Sequence, residues 1–285
     1  MPVVGVIAIV GLGCSGLLWI IAYLALHPHT QSLAQTPADP YGMAYREISF
    51  RTSDGLVLRG WYIPEQNGAT VVLVHGYARD RTELLPEARM LVDLGYGVIL
   101  FDTRAQGASD GAHIGLGYLE TLDVLAAVDF ALELSPQTRI GVMGYSVGAV
   151  AALQAAAEDT RIRAVIAVSP FASLRDTVRH RLKRIQPLAP FLVWWGERMT
   201  GIDVDVLRPV DVVARVAPRP VLIMQGEEDQ MVPADSGQRL FSAALEPKEL
   251  WSVPGVAHVD FRQAVPEAYR HKVIGFFERL LLPLD

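Results

Sequence analysis

The stretch that decides the fold is Arg139-Ile140-Gly141-Val142-Met143-Gly144-Tyr145-Ser146-Val147-Gly148, followed by an alanine-rich run over residues 149–157. An apolar run, a glycine-flanked turn and a helix-forming run predict a buried strand, a sharp turn and a helix. A serine in such a turn is lifted clear of the backbone, and its flanking glycines let the helix approach closely. Ser146 is therefore a candidate nucleophile. The alternative interpretation is an ordinary strand-to-helix turn.

A serine nucleophile requires a base and a group that orients the base, and candidates for both follow later in the chain. Asp229 lies in an acidic loop directly after the apolar run 220–225. His258 follows a second short apolar run, 248–253, and a Pro-Gly turn. Each residue alone is weak evidence. The order serine, aspartate, histidine, each just after a predicted strand, predicts a catalytic triad of Ser146, Asp229 and His258.

Two further loops extend this pattern. Residues 71–77 read Val-Val-Leu-Val-His-Gly-Tyr, and residues 101–109 read Phe-Asp-Thr-Arg-Ala-Gln-Gly-Ala-Ser. With the serine turn, they make the chain from about residue 45 onward resemble the α/β-hydrolase superfamily, closest to its serine-aminopeptidase-like and membrane-anchored esterase branches. The resemblance implies that the backbone N–H groups of Tyr77 and Val147 form the oxyanion hole. It also implies that the Asp-x-x-Val-Pro sequence beginning at Asp229 carries the acid, whereas Ala105 departs from the glycine usual in the second loop.

The predicted fold is α/β: a mostly parallel sheet with helices on both faces. Residues 44–52 and 56–63 predict an antiparallel hairpin around Ser53-Asp54-Gly55. The parallel strands are nearly all apolar because both of their faces are buried. Strands are expected over 70–74, 97–101, 139–143, 164–168, 220–225 and 248–253, and helices over 81–94, 116–134, 146–157, 234–245 and 266–282.

Residues 170–218 separate two of these strands by more than one crossover helix requires, which predicts an inserted helical cap. Leu174, Val178, Leu182 and Ile185 fall on one helical stripe, and arginines and lysines occupy the remaining positions. One interpretation places the apolar stripe over an acyl pocket and the charges in water. The other lets the basic face contact anionic lipid headgroups.

The N-terminal region predicts a membrane anchor. Residues 3–26 carry no charged side chain and, as a helix of about 36 Å at 1.5 Å per residue, could cross a hydrocarbon core of about 30 Å. We therefore expect a transmembrane anchor over 1–26, a linker over 27–43 and a catalytic domain over 44–285, on the extracytoplasmic side. A cleaved signal peptide, with a small-residue site at 32–34, is the alternative.

Composition excludes several other classes. A formal net charge of −6 without a Lys/Arg-rich tail argues against nucleic-acid binding. Seven scattered histidines and a single cysteine contain no paired metal-ligand spacing, so no metal or cofactor is expected.

These observations predict a membrane-bound serine hydrolase that cleaves carboxylic esters or thioesters of a lipophilic small substrate through an acyl-enzyme. A peptidase, amidase or acyltransferase with the same triad is the alternative. A noncatalytic binding protein would be favoured by a degraded triad, and none of the three positions is degraded.

Overall fold

A computed structural model describes residues 15–28 and 35–282 of the chain. The strands are β1 (Arg46–Arg51), β2 (Val57–Ile63), β3 (Ala69–Val74), β4 (Gly97–Phe101), β5 (Arg139–Tyr145), β6 (Ile162–Val168), β7 (Val221–Gly226) and β8 (Lys248–Val253). They form an eight-stranded sheet in the order β1-β2-β4-β3-β5-β6-β7-β8. β2 pairs antiparallel with β1 and β4, and every other pairing is parallel.

Helices pack on both faces of this sheet. The first, α1, is described over residues 15–26. The others are α2 (Leu85–Val92), α3 (Glu120–Leu134), α4 (Val147–Glu158), α5 (Leu174–Arg181), α6 (Ala189–Thr200), α7 (Pro209–Val212), α8 (Ser236–Ala243), α9 (Phe261–Ala264) and α10 (Pro266–Leu281). Short 3-10 turns cover Arg81–Leu84, Lys183–Leu188 and Val213–Val216.

The apolar strands supply two cores at once, because successive side chains of a strand point to opposite faces. In β3, Val72 and Val74 belong to the core under α3 and α4, whereas Val71 and Leu73 belong to the core under α2 and α10. Parallel strands present their carboxyl ends at one edge. The loops after β3, β5, β7 and β8 therefore lie together there.

Two predicted helices differ from the prediction by more than the one or two residues seen at the ends of α8 and α10. Residues 116–119 lie outside α3, since Leu116 adopts a φ of 54° and the Glu120 carboxylate accepts hydrogen bonds from the N–H groups of Gly115 and Gly117. The stretch 81–94 divides into a 3-10 turn and α2, with a proline in the first turn of α2.

The segment between β6 and β7 holds α5, α6 and α7, and its first helix is also shorter than predicted. α5 ends at Arg181, and Ile185 has non-helical angles (φ −128°, ψ 35°) and is 40% exposed. Pro187, within the following turn, cannot donate a backbone hydrogen bond. Val178 and Leu182 still pack inward, so Ile185 is the member of the apolar stripe that does not.

The described part of α1 packs against the cap. Leu18 and Ala22 form an apolar cluster with Leu192 of α6. No helix within residues 15–28 and 35–282 is long and apolar enough to cross a membrane. Residues 1–14 of the expected anchor, and residues 29–34 with the alternative cleavage site, lie outside the described residues.

Residues 35–43 fold onto the catalytic domain, although we expected the whole of 27–43 to be a tether. Met43 is 2% exposed, and the Tyr41 carbonyl accepts a hydrogen bond from Arg89. The few apolar side chains of this polar stretch are enough to dock it against the sheet.

Candidate active site

Ser146 lies at the turn between β5 and α4. Its backbone has φ 53° and ψ −113°, and its N–H donates to the Val168 carbonyl at 2.8 Å. A Cβ added at Gly144 would lie 2.3 Å from the Gly148 carbonyl oxygen, and one at Gly148 would lie 2.4 Å from the Val74 carbonyl oxygen. Larger residues would clash with backbone at both positions, so the two glycines are what permits this turn.

His258 and Asp229 converge on this serine from the loops after β8 and β7. His258 Nε2 lies 2.9 Å from Ser146 Oγ, and His258 Nδ1 lies 2.7 Å from Asp229 Oδ2. The three side chains thus form one hydrogen-bonded chain. His258 is 112 positions from Ser146 and 29 positions from Asp229 in the sequence. The structure therefore brings all three candidate triad residues together.

Asp229 is held by its own loop. Its Oδ1 accepts the N–H groups of Met231 at 2.8 Å and Val232 at 3.1 Å, and its Oδ2 also accepts Gln225 Nε2 at 3.3 Å. The carboxylate is buried, whereas the neighbouring Glu228 is exposed. The loop therefore presents Asp229, and not the adjacent glutamate, to the histidine.

The loop after β3 approaches the serine from the other side. His75 Nε2 accepts the Thr103 N–H at 3.0 Å, and the Gly76 N–H donates to Glu83 Oε2 at 2.7 Å. The Gly76 N–H is therefore already engaged. The following residue, Tyr77, lines the same cavity as Ser146 and Val147. Tyr77 and Val147 are the residues whose N–H groups were predicted to form the oxyanion hole.

A cavity of about 620 Å³ lies over Ser146 and His258. Its walls are mainly apolar. Besides the loops that carry Tyr77, Ser146 and His258, they include α1, the loop around Leu116, the cap helices α5 and α6, and the loop after β7. Phe171, Leu174 and Val204 form one packed side of it together with Val147.

Among the described residues, five charged side chains line this cavity, and a pKa shift is found for one of them, Glu83. Burial raises the pKa of Glu83, against the opposing effects of the Gly76 hydrogen bond and nearby cations. Burial also raises the pKa of the Tyr77 phenol, which donates to the Ala25 carbonyl at 2.9 Å. Tyr77 thus remains a neutral donor at physiological pH.

The loop after β4 supports the site without lining the cavity. Arg104 forms ion pairs with Asp123 at 2.7 Å and Asp54 at 2.8 Å, and its guanidinium is almost fully buried. Ala105, at the position where glycine is usual, adopts a φ of 57°. The loop therefore keeps the left-handed conformation despite the substitution.

Three contributors were missed from the sequence. Glu83 falls in a stretch that only predicted a helix, and Gln225 reads as the last residue of a buried strand. The third is α1, whose uniformly apolar sequence suggested a membrane rather than a cavity wall. Within residues 15–28 and 35–282, no group of three His, Cys, Asp or Glu side chains is arranged to hold a metal ion.

Comparison with known proteins agrees with this architecture. The family model described as "Serine aminopeptidase, S33" matches residues 65–204. An uncharacterized protein of Mycobacterium tuberculosis (strain ATCC 25618 / H37Rv), Rv2307c, is 31% identical over 270 residues, covering 91% of this chain and 88% of that protein. Polyketide transferase ATR5 of Stachybotrys chlorohalonatus is 28% identical, covering 84% of this chain and 98% of that protein.

Among solved structures, the Pyrococcus furiosus esterase Pf2001 superposes with a TM-score of 0.77 at 28% identity, covering 90% of this chain and 98% of that chain. The shared features are the mostly parallel sheet and its flanking helices. The chain belongs to the α/β-hydrolase superfamily.

Proposed function

We propose that the protein is a serine hydrolase that cleaves carboxylic esters or thioesters of lipophilic substrates through an acyl-enzyme. The observation that carries this proposal is the hydrogen-bonded chain from Ser146 Oγ through His258 to Asp229 at the base of an apolar cavity. Nucleophile, base and orienting acid have the spacing that this chemistry requires.

Acylation begins when Ser146 Oγ attacks the acyl carbon. An ionised Asp229 only accepts hydrogen bonds, so His258 Nδ1 carries the proton and Nε2 is free to take the serine proton. The N–H groups of Tyr77 and Val147 receive the negative charge that develops on the carbonyl oxygen. The tetrahedral intermediate then expels the alkoxide or thiolate, which His258 protonates as it leaves.

Deacylation repeats these steps with water. His258 Nε2 removes a proton from a water molecule as its oxygen attacks the acyl carbon of the ester on Ser146. Collapse of the second tetrahedral intermediate breaks the bond to Oγ, and the proton on His258 returns to Ser146. The products are a carboxylic acid and the alcohol or thiol released earlier.

The cavity walls support a lipophilic acyl group. Most lining side chains are aliphatic or aromatic, and burial of each methylene stabilises a bound chain by about 0.8 kcal/mol. Three carboxylates line the cavity in the part of the chain that the structure describes. Glu83 accepts the Gly76 N–H and Glu197 Oε1 accepts the Val204 N–H, whereas Asp260 is exposed. The preference for an ester therefore rests on the apolar character of the walls.

A peptidase or acyltransferase activity is the second candidate. The family description names a serine aminopeptidase, and one relative is named a polyketide transferase. Both activities would use the same acyl-enzyme and differ in the leaving group or in the acceptor. Hydrolysis of aminoacyl arylamides would favour the peptidase, and product esters formed with an added alcohol would favour acyl transfer.

The direct test uses the full chain in detergent micelles with p-nitrophenyl esters from acetate to dodecanoate. We expect turnover and labelling by a fluorophosphonate, both abolished by Ser146→Ala. The fluorophosphonate bond forms at the nucleophilic serine itself, so retained labelling of the Ser146→Ala variant would rule out this residue as the nucleophile.

We also propose that the protein acts at a membrane, with residues 3–26 as the anchor and the catalytic domain outside the cytoplasm. Leu17, Ile20 and Leu24 of α1 are between 47% and 61% exposed, as are Phe191 and Trp194 of α6. Exposed apolar groups at this density favour contact with lipid. The nearby cations Arg179, Lys183 and Arg184 are exposed and suited to anionic headgroups.

A further inference from the structure

The α1 helix forms part of the cavity over Ser146. Ile21, Ala22, Ala25 and Leu26 line the same space as the serine and His258. These residues are spaced one, three and four positions apart, so they lie on one side of the helix. The other side of the helix, with Ile20, Tyr23 and Leu24, is exposed. A membrane anchor does not need to line the cavity over Ser146, so this placement indicates a second role for α1.

Three contacts hold α1 in this place. Its Ala25 carbonyl accepts the Tyr77 hydroxyl at 2.9 Å, and its Leu26 carbonyl accepts the Ile114 N–H at 3.1 Å. Leu18 and Ala22 pack on Leu192 of the cap. The last carbonyl groups of a helix have no hydrogen-bond partner within the helix. The first two contacts supply partners for two such carbonyls of α1, and together the three contacts fix its position on the domain.

The side chains that face the cavity differ in size and depth. Ala22 is 6% exposed and lies against the cap, whereas Ala25 is exposed at the mouth. Both are alanines in a helix otherwise rich in Leu, Ile and aromatic residues. Small side chains at these two positions leave room in the cavity that larger ones would fill.

We infer that α1 is a specificity-determining wall of the substrate site and that Ala22 and Ala25 set the length of the acyl chain that the site accepts. This inference rests on the proposed ester hydrolysis and deepens it. The substrate class it names is esters of medium and long unbranched acyl chains, whose distal methylenes lie between α1 and α6.

The test compares two enlarged variants with a matched control on the same helix. Ala22→Leu and Ala25→Phe add bulk inside the cavity, and Leu24→Phe adds bulk on the exposed side. Each full-length protein is assayed for kcat/KM on p-nitrophenyl acetate, butyrate, octanoate and dodecanoate. The measured quantity is the ratio of dodecanoate to acetate kcat/KM.

We expect the ratio to fall about 100-fold in Ala22→Leu and Ala25→Phe, the effect of losing the burial of roughly three to four methylenes. Acetate turnover should persist, because the added groups lie away from the reacting atoms. The Leu24→Phe variant should keep the parent ratio. The two variants also check each other, since Ala25→Phe enlarges an exposed position that does not need to repack.

Two outcomes overturn the inference. Parent-like ratios in both enlarged variants would show that α1 does not limit the chain. A rise in the ratio of dodecanoate to acetate kcat/KM would show that α1 covers the site but does not limit the length of the acyl chain. Failure of the proposed function is distinct: the parent protein would then turn over no ester of any length.

Discussion

Glu83 Oε2 accepts the Gly76 N–H at 2.7 Å, and this bond ties the 3-10 turn after β3 to the loop that carries Tyr77. A Cβ placed on Gly76 would lie only 3.7 Å from the Ser146 Cβ, so this loop lies beside Ser146. The Glu83 carboxylate does not itself touch the reacting atoms in the proposed mechanism. In that mechanism Glu83 is a positioning residue for the proposed oxyanion donor at Tyr77.

Replacing Glu83 should therefore affect the transition state more than substrate binding. Glu83→Ala leaves the Gly76 N–H without its acceptor, and we expect kcat to fall about 10- to 100-fold with little change in KM, as for loss of an interaction that serves only the transition state. Glu83→Gln keeps an acceptor oxygen and should restore most of the rate. A rise in KM at constant kcat, or no rescue by glutamine, would contradict the positioning role.

The same residue gives a pH dependence of stability. Burial raises the pKa of Glu83, so in the pH range between its unfolded and folded pKa values the folded protein holds more protons than the unfolded chain. This contribution to stability therefore grows as pH falls. The free energy of unfolding of the parent, minus that of Glu83→Gln, should increase from pH 7 to pH 4.5 in urea titrations. A constant or shrinking difference would refute this sign.

The choice of carboxylate can be tested directly. Asp229→Asn should lower kcat about 10⁴-fold, because an amide no longer favours the histidine tautomer that accepts the serine proton. Glu228→Gln, one residue earlier and exposed, should keep parent-like kinetics. Fluorophosphonate labelling rates measured for both variants provide a second readout. The assignment fails if the Glu228 variant is the more impaired of the two.

The left-handed backbone of Ala105 leads to a prediction about the free energy of unfolding. An alanine at φ 57° costs about 1–2 kcal/mol, and glycine at the same place loses about 0.4–1 kcal/mol more entropy on folding. The difference favours Ala105→Gly by about 0.5–1 kcal/mol. The control is Ala108→Gly in the same loop, where φ is not positive and the entropy term alone should destabilise. Chemical denaturation of both variants should give opposite signs.

Membrane association should combine burial of apolar side chains with attraction of cations to anionic lipid, and only the second is weakened by salt. Full-length protein should remain with vesicles in 1 M salt, because apolar burial is not screened. Changing Arg179, Lys183 and Arg184 together to glutamine should weaken binding to anionic vesicles at low salt by about 1 kcal/mol per charge. Arg175 is left out because it pairs with Asp205. Loss of vesicle binding in 1 M salt would remove the support for an apolar anchor.

The sequence determined the arrangement of the catalytic edge. Buried parallel strands can be recognised by their unbroken apolar runs. Because the carboxyl ends of parallel strands lie at the same edge of a sheet, residues placed just after these strands come together. That is why Ser146, His258 and Asp229 could be chosen from positions far apart. The two glycines around Ser146 were equally recognisable in the sequence. The structure gives the reason for them: a side chain at Gly144 would meet the Gly148 backbone, and one at Gly148 would meet the Val74 backbone.

Only the tertiary structure decided which groups pack around that edge. The acceptor for the Gly76 N–H is a glutamate seven positions later, and a helical stretch contains several carboxylates with no local sign of which one turns inward. Likewise, the run 3–26 is apolar on every side, so it has no stripe to indicate a packed face. Ala22 faces Leu192 of the cap because of a contact across 170 positions, and no periodicity within either helix encodes such a pairing.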